Sequence, residues 1–273
     1  MSTVPSLIAI PDTELRMLSS PIVGQEFSIC VALPQTYSKA SQAYPAICVL
    51  DANASFGTVT ETVRWLTFFN DIPEVIVVGI GYPVRSFKDA QGLRTRDLTP
   101  TETDWYETWW KPRLADAPPY VGSGGAPHFL RFIREELIPF IDTNYRTLPG
   151  DNTLMGFSLG GLFALYTLFN QPDTVRSYVV GSPSVWWDDE IILSLEKDFA
   201  AQHSDLPVKV FLSVAGNEDE AMIANMYEVA DVLRSHEYKS MEITTRFFEG
   251  ETHMSNTPAF VSWGLRAAFA QKV

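Results

Sequence analysis

Short apolar runs bounded by turn residues recur along the chain and predict strands. These runs are rich in β-branched and aromatic residues and occupy 27–33, 46–50, 75–80, 153–157, 177–180, 208–214 and 241–248. Between the runs, apolar residues recur at steps of three and four, which predicts helices over 58–69, 127–145, 221–236 and 258–270. A further helical pattern follows the run 153–157 directly.

The alternation of strands with helices predicts a mostly parallel sheet with helices on both faces. Continuously apolar runs such as VIVVGI and VKVFLSV are typical of strands that are covered on both sides. Segment 82–125 interrupts this alternation, because it is rich in Pro, Gly and aromatic residues and has no clear period. Long insertions of this kind usually form lids or binding loops. We therefore expect a single α/β domain over residues 1–273, with a cap inserted at 82–125.

Composition and charge narrow the possible partners. The 273 residues are 46% hydrophobic and 19% charged, which is ordinary globular composition. With 20 Lys and Arg against 33 Asp and Glu, the net charge is −13. Phosphate backbones and anionic lipids repel such a chain, so we expect neither a nucleic-acid nor a membrane partner. The first residues show no basic stretch followed by an apolar one, so no signal peptide is predicted and a cytoplasmic location is expected.

Two features require a choice between interpretations. Cys30 and Cys48 lie in predicted strands, where two buried reduced thiols are favoured over a disulfide between the strands. No CxxC pair or Cys/His cluster points to a metal. The uncharged stretch 152–172 is as long as a membrane span, but its glycines and polar residues favour a buried strand followed by a buried helix.

A sharp turn between that strand and helix carries the candidate nucleophile. Residues 153–161 read TLMGFSLGG, in which Gly156 and Gly160 flank Ser158 in the pattern G-x-S-x-G. In a strand–turn–helix context this pattern is typical of a nucleophile elbow, which exposes the serine hydroxyl above a helix N-terminus. The alternative is that the glycines serve only a tight turn. We predict that Ser158 is the nucleophile.

A serine nucleophile needs a histidine base, and the chain offers four histidines. His128 precedes the serine, His203 lies before a strand, and His236 ends a predicted helix. His253 follows the last predicted strand, at the edge of the sheet where the elbow lies, and it fits the chain order Ser, acid, His. We predict that His253 is the base.

The acid that orients the histidine should follow a strand between these two residues. The strand VKVFLSV runs into three consecutive carboxylates, whose alternative role is a solvated first helical turn. An assumed turn of about three residues after the glycine favours Asp219, with Glu218 second and Glu220 third. Asp188 and Asp189 are a more distant alternative, whereas Glu251 is too close in the chain to His253 to be chosen.

Two backbone amides are expected to bind the developing oxyanion. One is the amide of Leu159, directly after the nucleophile. The other should come from the loop after the strand AICVL, where Asn53 is favoured over Ala52.

These motifs together resemble the esterase family of α/β-hydrolases that includes enterochelin-type siderophore esterases, feruloyl esterases and mycolyltransferases. The resemblance covers nearly the whole chain and rests on LDANASF, VGIGYP, RTRDLTP, GGAPHFLRFIREELIPFID, GFSLGGLFALY, GSPSVWWDD and FEGETHMS. It implies an α/β-hydrolase fold, a catalytic Ser–His pair matched by Ser158 and His253, a variable acid and no cofactor. The siderophore-esterase branch is the most similar. The tripeptide Asp51-Ala52-Asn53 departs from the family's more usual Asp-Gly-Asn.

The cap and a later loop are crowded with aromatic residues that either wall an acyl pocket or anchor the loop. They are Trp105, Tyr106, Trp109, Trp110, Tyr120, Trp186 and Trp187, of which Trp109 and Trp186 are the candidate substrate contacts. Arg94 and Arg96 are candidates for pairing with an anionic or catecholate substrate; the alternative is ion pairs with Asp97 and neighbouring acids.

The sequence thus predicts a serine hydrolase that cleaves carboxylic esters of small molecules through an acyl-enzyme intermediate. A siderophore trilactone hydrolase is the same chemistry with a narrower substrate. An acyltransferase and a non-catalytic binding protein on the same fold are the remaining alternatives.

Overall fold

A computed structural model describes residues 9–113 and 116–269. Its eight strands form one sheet in the order β1-β2-β4-β3-β5-β6-β7-β8. The strands are β1 (Thr13–Ser20), β2 (Gln25–Ala32), β3 (Tyr44–Val49), β4 (Ile76–Gly81), β5 (Thr147–Phe157), β6 (Ser177–Gly181), β7 (Lys209–Ala215) and β8 (Glu242–Phe248). β2 is antiparallel to both of its neighbours, and the other neighbouring strands are parallel.

Helices cover both faces of this sheet. They are α1 (Ala52–Phe68), α2 (Gln91–Leu98), α3 (Ala126–Phe132), α4 (Ile138–Asn144), α5 (Leu159–Asn170), α6 (Ile191–Ala200), α7 (Glu220–Ser235) and α8 (Thr257–Phe269). Side chains of α1 and α8 form one apolar cluster with one face of the sheet, while α3, α5 and α7 contribute to a larger cluster on the other face. The predicted fold class, a mostly parallel sheet covered on both sides in the manner of an α/β-hydrolase, is confirmed.

Some elements differ from the sequence prediction. β1 was not predicted, because it lies at an exposed edge of the sheet and its side chains are mostly solvent-accessible. α6 was not predicted, and α2 lies within the inserted segment, where no period is visible. The predicted helix 127–145 contains a π-helical turn, Ile133–Leu137, just before Pro139, which has no amide proton to continue the α-helical bonding. Ala270, the predicted end of the last helix, lies outside the described residues.

Both cysteines are free thiols, as favoured from the sequence. Cys30 lies in β2 and Cys48 in β3, and β4 runs between these two strands. Two strand spacings separate them by about 10 Å, which is too far for a disulfide. Burial raises the pKa of the Cys48 thiol to about 12. Cys48 is therefore a protonated, buried apolar side chain at neutral pH.

The uncharged stretch 152–172 forms the end of β5 and all of α5, and most of its side chains are buried. Within residues 9–113 and 116–269, none of the helices is long and apolar enough to cross a bilayer.

Candidate active site

Ser158 occupies a strained turn between β5 and α5. Its backbone has φ 60° and ψ −119°, a region that non-glycine residues rarely adopt. The turn is held by a 2.9 Å hydrogen bond from the Ser158 amide to the carbonyl oxygen of Gly181 in β6. Because α5 begins at the next residue, the serine lies at the N-terminus of that helix. This is the geometry of a nucleophile elbow.

Two of the three glycines around Ser158, Gly156 and Gly161, are required by close approaches of the backbone. A Cβ atom on Gly156 would lie 2.1 Å from the carbonyl oxygen of Gly160, and one on Gly161 would lie 2.9 Å from that of Gly181. Gly160 itself has more space, since a Cβ atom there would lie 3.4 Å from its nearest neighbour, Asp51 Oδ2. The two sides of the elbow can meet only when position 156 has no side chain.

Gly156→Ala should therefore lower the free energy of unfolding by about 3 kcal/mol, because the new methyl group must push strand and helix apart. Gly160→Ala is the matched control, because its methyl group is accommodated and alanine is the better helix former by about 1 kcal/mol. Urea denaturation of both variants checks this. Equal stabilities of the two variants would contradict the close approach at Gly156.

His253 lies in the loop after β8, and its side chain is 33% exposed. Its Nδ1 atom is 3.1 Å from Oε1 of Glu218, and its ring centroid is 4.8 Å from that of Phe157, the residue before the nucleophile. The structure thus brings the predicted histidine to the elbow.

The other three histidines either face solvent or contact residues away from the elbow. His128 is exposed at the start of α3. His203 stacks on Phe199, and His236 pairs with Glu196 at 2.8 Å. His253 is thus the histidine that the structure places beside the elbow, as the elimination from sequence anticipated.

The carboxylate that contacts His253 belongs to Glu218 and not to Asp219, which ranked first from the sequence. The Glu218 side chain is only 1% exposed, whereas Asp219 and Glu220 are exposed where α7 begins. The reason is the register of the strands: the amide of Asn217 donates a 2.8 Å hydrogen bond to the carbonyl oxygen of Glu251. Backbone pairing with the segment after β8 therefore continues beyond the end of β7. The turn that precedes the acid is one residue shorter than the sequence analysis assumed.

The remaining acid candidates point elsewhere. Asp188 and Asp189 are exposed after β6, and Glu251 accepts a hydrogen bond from the Ser255 hydroxyl. Within residues 9–113 and 116–269, no group of three or more His, Cys, Asp or Glu side chains could hold a metal ion.

The predicted oxyanion amides belong to the first turns of two neighbouring helices. Leu159 begins α5, Ala52 begins α1, and Asn53 is the second residue of α1. Amides in a first helical turn lack acceptors within the helix and are available to an anion. Because α1 and α5 follow the adjacent parallel strands β3 and β5, both N-termini lie at the same edge of the sheet.

Several side chains hold the N-terminus of α1 in place, a role that the sequence analysis did not give them. Asn53 receives a 2.8 Å hydrogen bond from the Tyr82 amide and donates to the carbonyl oxygens of Tyr82 and Val84. Asp51, in the left-handed conformation with φ 56°, accepts two 2.7 Å hydrogen bonds from Arg94. The start of α1 is thereby attached to α2 and to the segment that follows β4.

The two candidate substrate arginines are both paired within the chain. The side chain of Arg94 is 6% exposed and binds Asp51, as described above. Arg96 binds Asp97 at 2.7 Å and Gln25 at 2.5 Å, and its side chain remains 24% exposed. Burial raises the pKa of the Asp97 carboxyl, and Arg96 opposes that rise. For Arg96 the pairing is the alternative that the sequence analysis gave.

The tryptophans of segment 82–125 and of the loop after β6 gather around Trp105. Its ring centroid lies 5.4 Å from that of Trp109 and 5.1 Å from that of Trp186, and Trp110 and Trp187 complete the cluster. Trp187 is buried, and its indole nitrogen donates to the Thr101 hydroxyl. Trp109, on a π-helical turn, is 44% exposed, with the Arg113 guanidinium 4.3 Å from its ring centroid. Within this cluster, Trp187 is thus anchored in the core, whereas Trp109 is accessible to solvent.

Three polar residues near the site were missed from the sequence. The hydroxyl oxygens of Ser184 and Ser158 are 3.5 Å apart. Ser182 and Asn256 lie beside Glu218. The signal available in the sequence was the pair of serines in GSPS directly after β6, at the edge of the sheet where the elbow lies.

Comparisons with known proteins agree with this geometry. The family model described as Putative esterase matches residues 20–271. Ferri-bacillibactin esterase BesA of Bacillus subtilis is 34% identical over 271 residues, covering 95% of this chain and 90% of that protein. Siderophore enterobactin esterase of Emericella nidulans is 33% identical over 200 residues, covering 69% and 64%. The crystal structure of the BES protein from Bacillus cereus has a TM-score of 0.85 and 31% identity, covering 98% of this chain and 100% of that one.

The family model covers most of the chain, and the fold, the elbow and the full-length relatives agree with it. The chain therefore belongs to the Putative esterase family, has the α/β-hydrolase fold, and is an enzyme that hydrolyses esters.

Proposed function

We propose that Ser158, His253 and Glu218 form the catalytic triad of this esterase. The contact that carries this proposal is the 3.1 Å approach of Glu218 Oε1 to His253 Nδ1, where the imidazole packs against Phe157, the residue before the strained serine. A carboxylate on Nδ1 leaves Nε2 as the basic nitrogen and stabilises the imidazolium that forms. The amides of Leu159 and Asn53 are the proposed oxyanion donors.

The reaction then proceeds in two steps. Ser158 Oγ attacks the ester carbonyl carbon while His253 Nε2 takes its proton, and the two amides stabilise the tetrahedral oxyanion. The carbon–oxygen bond to the leaving alcohol breaks, and Nε2–H protonates that alcohol. Water then attacks the acyl-enzyme, giving its proton to Nε2, and the acid product leaves as Ser158 Oγ regains the proton.

We propose that the natural substrate is a siderophore held together by ester bonds. The observation that carries this proposal is the 34% identity, over 95% of the chain, to a ferri-bacillibactin esterase. The tryptophan cluster supports it, because flat, accessible indole rings suit the aromatic rings of catecholate ligands. Substrate contact is assigned to Trp109 and Trp186, since Arg94 and Arg96 already bind carboxylates of the chain. A cytoplasmic location, which the two free thiols favour, is part of the proposal.

A comparison of two substrate classes tests this proposal. The purified enzyme is given a catecholate trilactone, iron-free and iron-loaded, and separately p-nitrophenyl acetate, butyrate and octanoate. We expect kcat/KM for the trilactone to exceed that for every p-nitrophenyl ester by roughly 100-fold, because contacts with the rest of the substrate stabilise the transition state. A preference for the simple esters, with the trilactone left intact, would overturn the siderophore proposal and leave the esterase assignment standing.

Trp109→Ala should raise KM for the trilactone on the order of tenfold, because it removes an accessible stacking surface. Hydrolysis of p-nitrophenyl acetate should change little, since that small ester lacks the catecholate rings that Trp109 is proposed to bind. Trp65→Ala is the matched control: Trp65 is 67% exposed but lies in α1, about 20 Å along the helix from its N-terminus. Steady-state kinetics on both substrates check this, and an unchanged trilactone KM would remove Trp109 from the binding site.

A further inference from the structure

Ser182 combines a strained backbone with a fully buried hydroxyl. It follows β6 directly, has φ 39°, and its amide donates a 2.7 Å hydrogen bond to the carbonyl oxygen of Ser213 in β7. Its side chain is 0% exposed, and its hydroxyl donates a 2.6 Å hydrogen bond to Oε1 of Glu218. A positive φ favours glycine, so the serine is retained at a local cost in backbone energy.

Asn256, which lies beside Ser182, also has a locally unfavourable arrangement. It directly precedes α8, the position at which an asparagine usually accepts a hydrogen bond from the first turn of the helix. Its Oδ1 atom, however, is buried with no partner among the described residues. Its amide nitrogen lies 3.2 Å from Ser182 Oγ and 3.5 Å from Glu218 Oε1. The side chain is thus turned towards the carboxylate and away from its own helix.

All of these contacts converge on one oxygen of Glu218. Oε1 accepts from Ser182, Asn256 and His253, whereas Oε2 is buried and has no partner among the described residues. A glutamate has three side-chain torsions, so it has more ways to turn away from a histidine than an aspartate has. The donors come from the loops after β6 and β8, on either side of the β7 loop that carries Glu218. Together they fix the torsions that the longer side chain leaves free.

We propose that Ser182, assisted by Asn256, is a positioning residue that holds Glu218 Oε1 against His253. The inference rests on the proposed role of Glu218 as the acid of the triad. Ser182 does not touch the reacting atoms, and it acts only through the orientation of the carboxylate. Its value to the enzyme lies in preorganisation of the triad and not in stability.

Two variants separate the hydroxyl from the backbone strain. Ser182→Gly removes the hydroxyl and relieves the positive φ, whereas Ser182→Ala removes the hydroxyl and keeps the strain. Both should lower kcat by about 10-fold to 100-fold, as expected for the loss of a hydrogen bond to a charged group, with KM changed by less than roughly twofold. The unfolding temperature should be higher for Ser182→Gly than for Ser182→Ala. If Ser182 had only a structural role, kcat of the two variants would instead follow their unfolding temperatures.

A double-mutant cycle and a spectrum complete the test. In a Glu218→Gln background, Ser182→Gly should lower kcat by less than about threefold, because no carboxylate remains to be positioned. The downfield proton resonance of the His253 Nδ1–H bond should shift or broaden in Ser182→Gly. Asn70→Gly is the control for a glycine at positive φ, since Asn70 is exposed, has φ 61° and follows α1 at the end remote from the elbow.

The possible outcomes distinguish the positioning role of Ser182 from the role of Glu218 as the acid of the triad. If Glu218→Gln lowers kcat but neither Ser182 variant does, the positioning role is overturned and the triad stands. If Glu218→Gln leaves kcat unchanged, the acid assignment and the positioning role both fall. Effects of Ser182→Gly and Glu218→Gln that simply add would also overturn the positioning role.

Discussion

Ser158→Ala should lower kcat for p-nitrophenyl butyrate on the order of 10⁶-fold, while the fold remains intact. The expectation follows from the geometry of the elbow: Ser158 lies at the N-terminus of α5, and Phe157 before it packs against the histidine that pairs with Glu218. Removing the nucleophile leaves only the oxyanion amides and substrate binding, which give far less acceleration. Wild type and variant are assayed side by side, and denaturation curves verify that both are folded.

Ser184→Ala is the matched control for that experiment. The hydroxyl of Ser184 lies 3.5 Å from that of Ser158, so it is the neighbouring hydroxyl that could be mistaken for the nucleophile. Its loss should cost far less activity than the loss of Ser158. A fluorophosphonate should label the peptide that contains Ser158 in the wild type and in Ser184→Ala, but not in Ser158→Ala. Substantial activity or labelling in Ser158→Ala would mean that another residue is the nucleophile.

The elbow and the histidine were predictable because their signals are local. The strand–turn–helix pattern around Ser158 is contained within some fifteen residues, and Gly156 and Gly161 in it are required by close approaches of the backbone. His253 was found by elimination, since the position of a histidine relative to strand ends can be inferred from the strand pattern alone. The core strands were found for the same reason, because their apolar runs are continuous and short.

What the sequence did not reveal depends on contacts between distant segments. The preference for Glu218 as the proposed acid depends on the pairing of Asn217 with Glu251, which no local pattern in the β7 loop encodes. The pairing of Arg94 with Asp51 joins positions 43 residues apart in sequence, so an arginine that looks free in the sequence is buried in the fold. β1 was missed because an exposed edge strand has little apolar periodicity to detect.

For the same reason, the unfavourable backbone conformation of Ser182 could not be predicted from the sequence. A serine after a strand is unremarkable in sequence, and only its φ of 39° and its bond to Glu218 mark it as unusual. Departures from local preference tend to concentrate at functional sites, where the surrounding structure stabilises them. Both Ser158 and Ser182 are such departures, and they directly follow the neighbouring strands β5 and β6 at the same edge of the sheet.

Glu218→Gln should lower kcat by about 10³-fold to 10⁴-fold, whereas Asp219→Asn should change it by less than roughly twofold. The amide is nearly the same size as the carboxylate, but it cannot stabilise the imidazolium and can hold the ring in the wrong tautomer. Asp219 is exposed where α7 begins, and among the described residues the carboxylate that contacts His253 is that of Glu218, so the charge of Asp219 is screened by solvent. The two substitutions make the same chemical change at adjacent positions, and kcat measured at saturating substrate separates them. A large loss in Asp219→Asn with an active Glu218→Gln would restore the order of preference drawn from the sequence, and would mean that the β7 loop rearranges when the substrate binds.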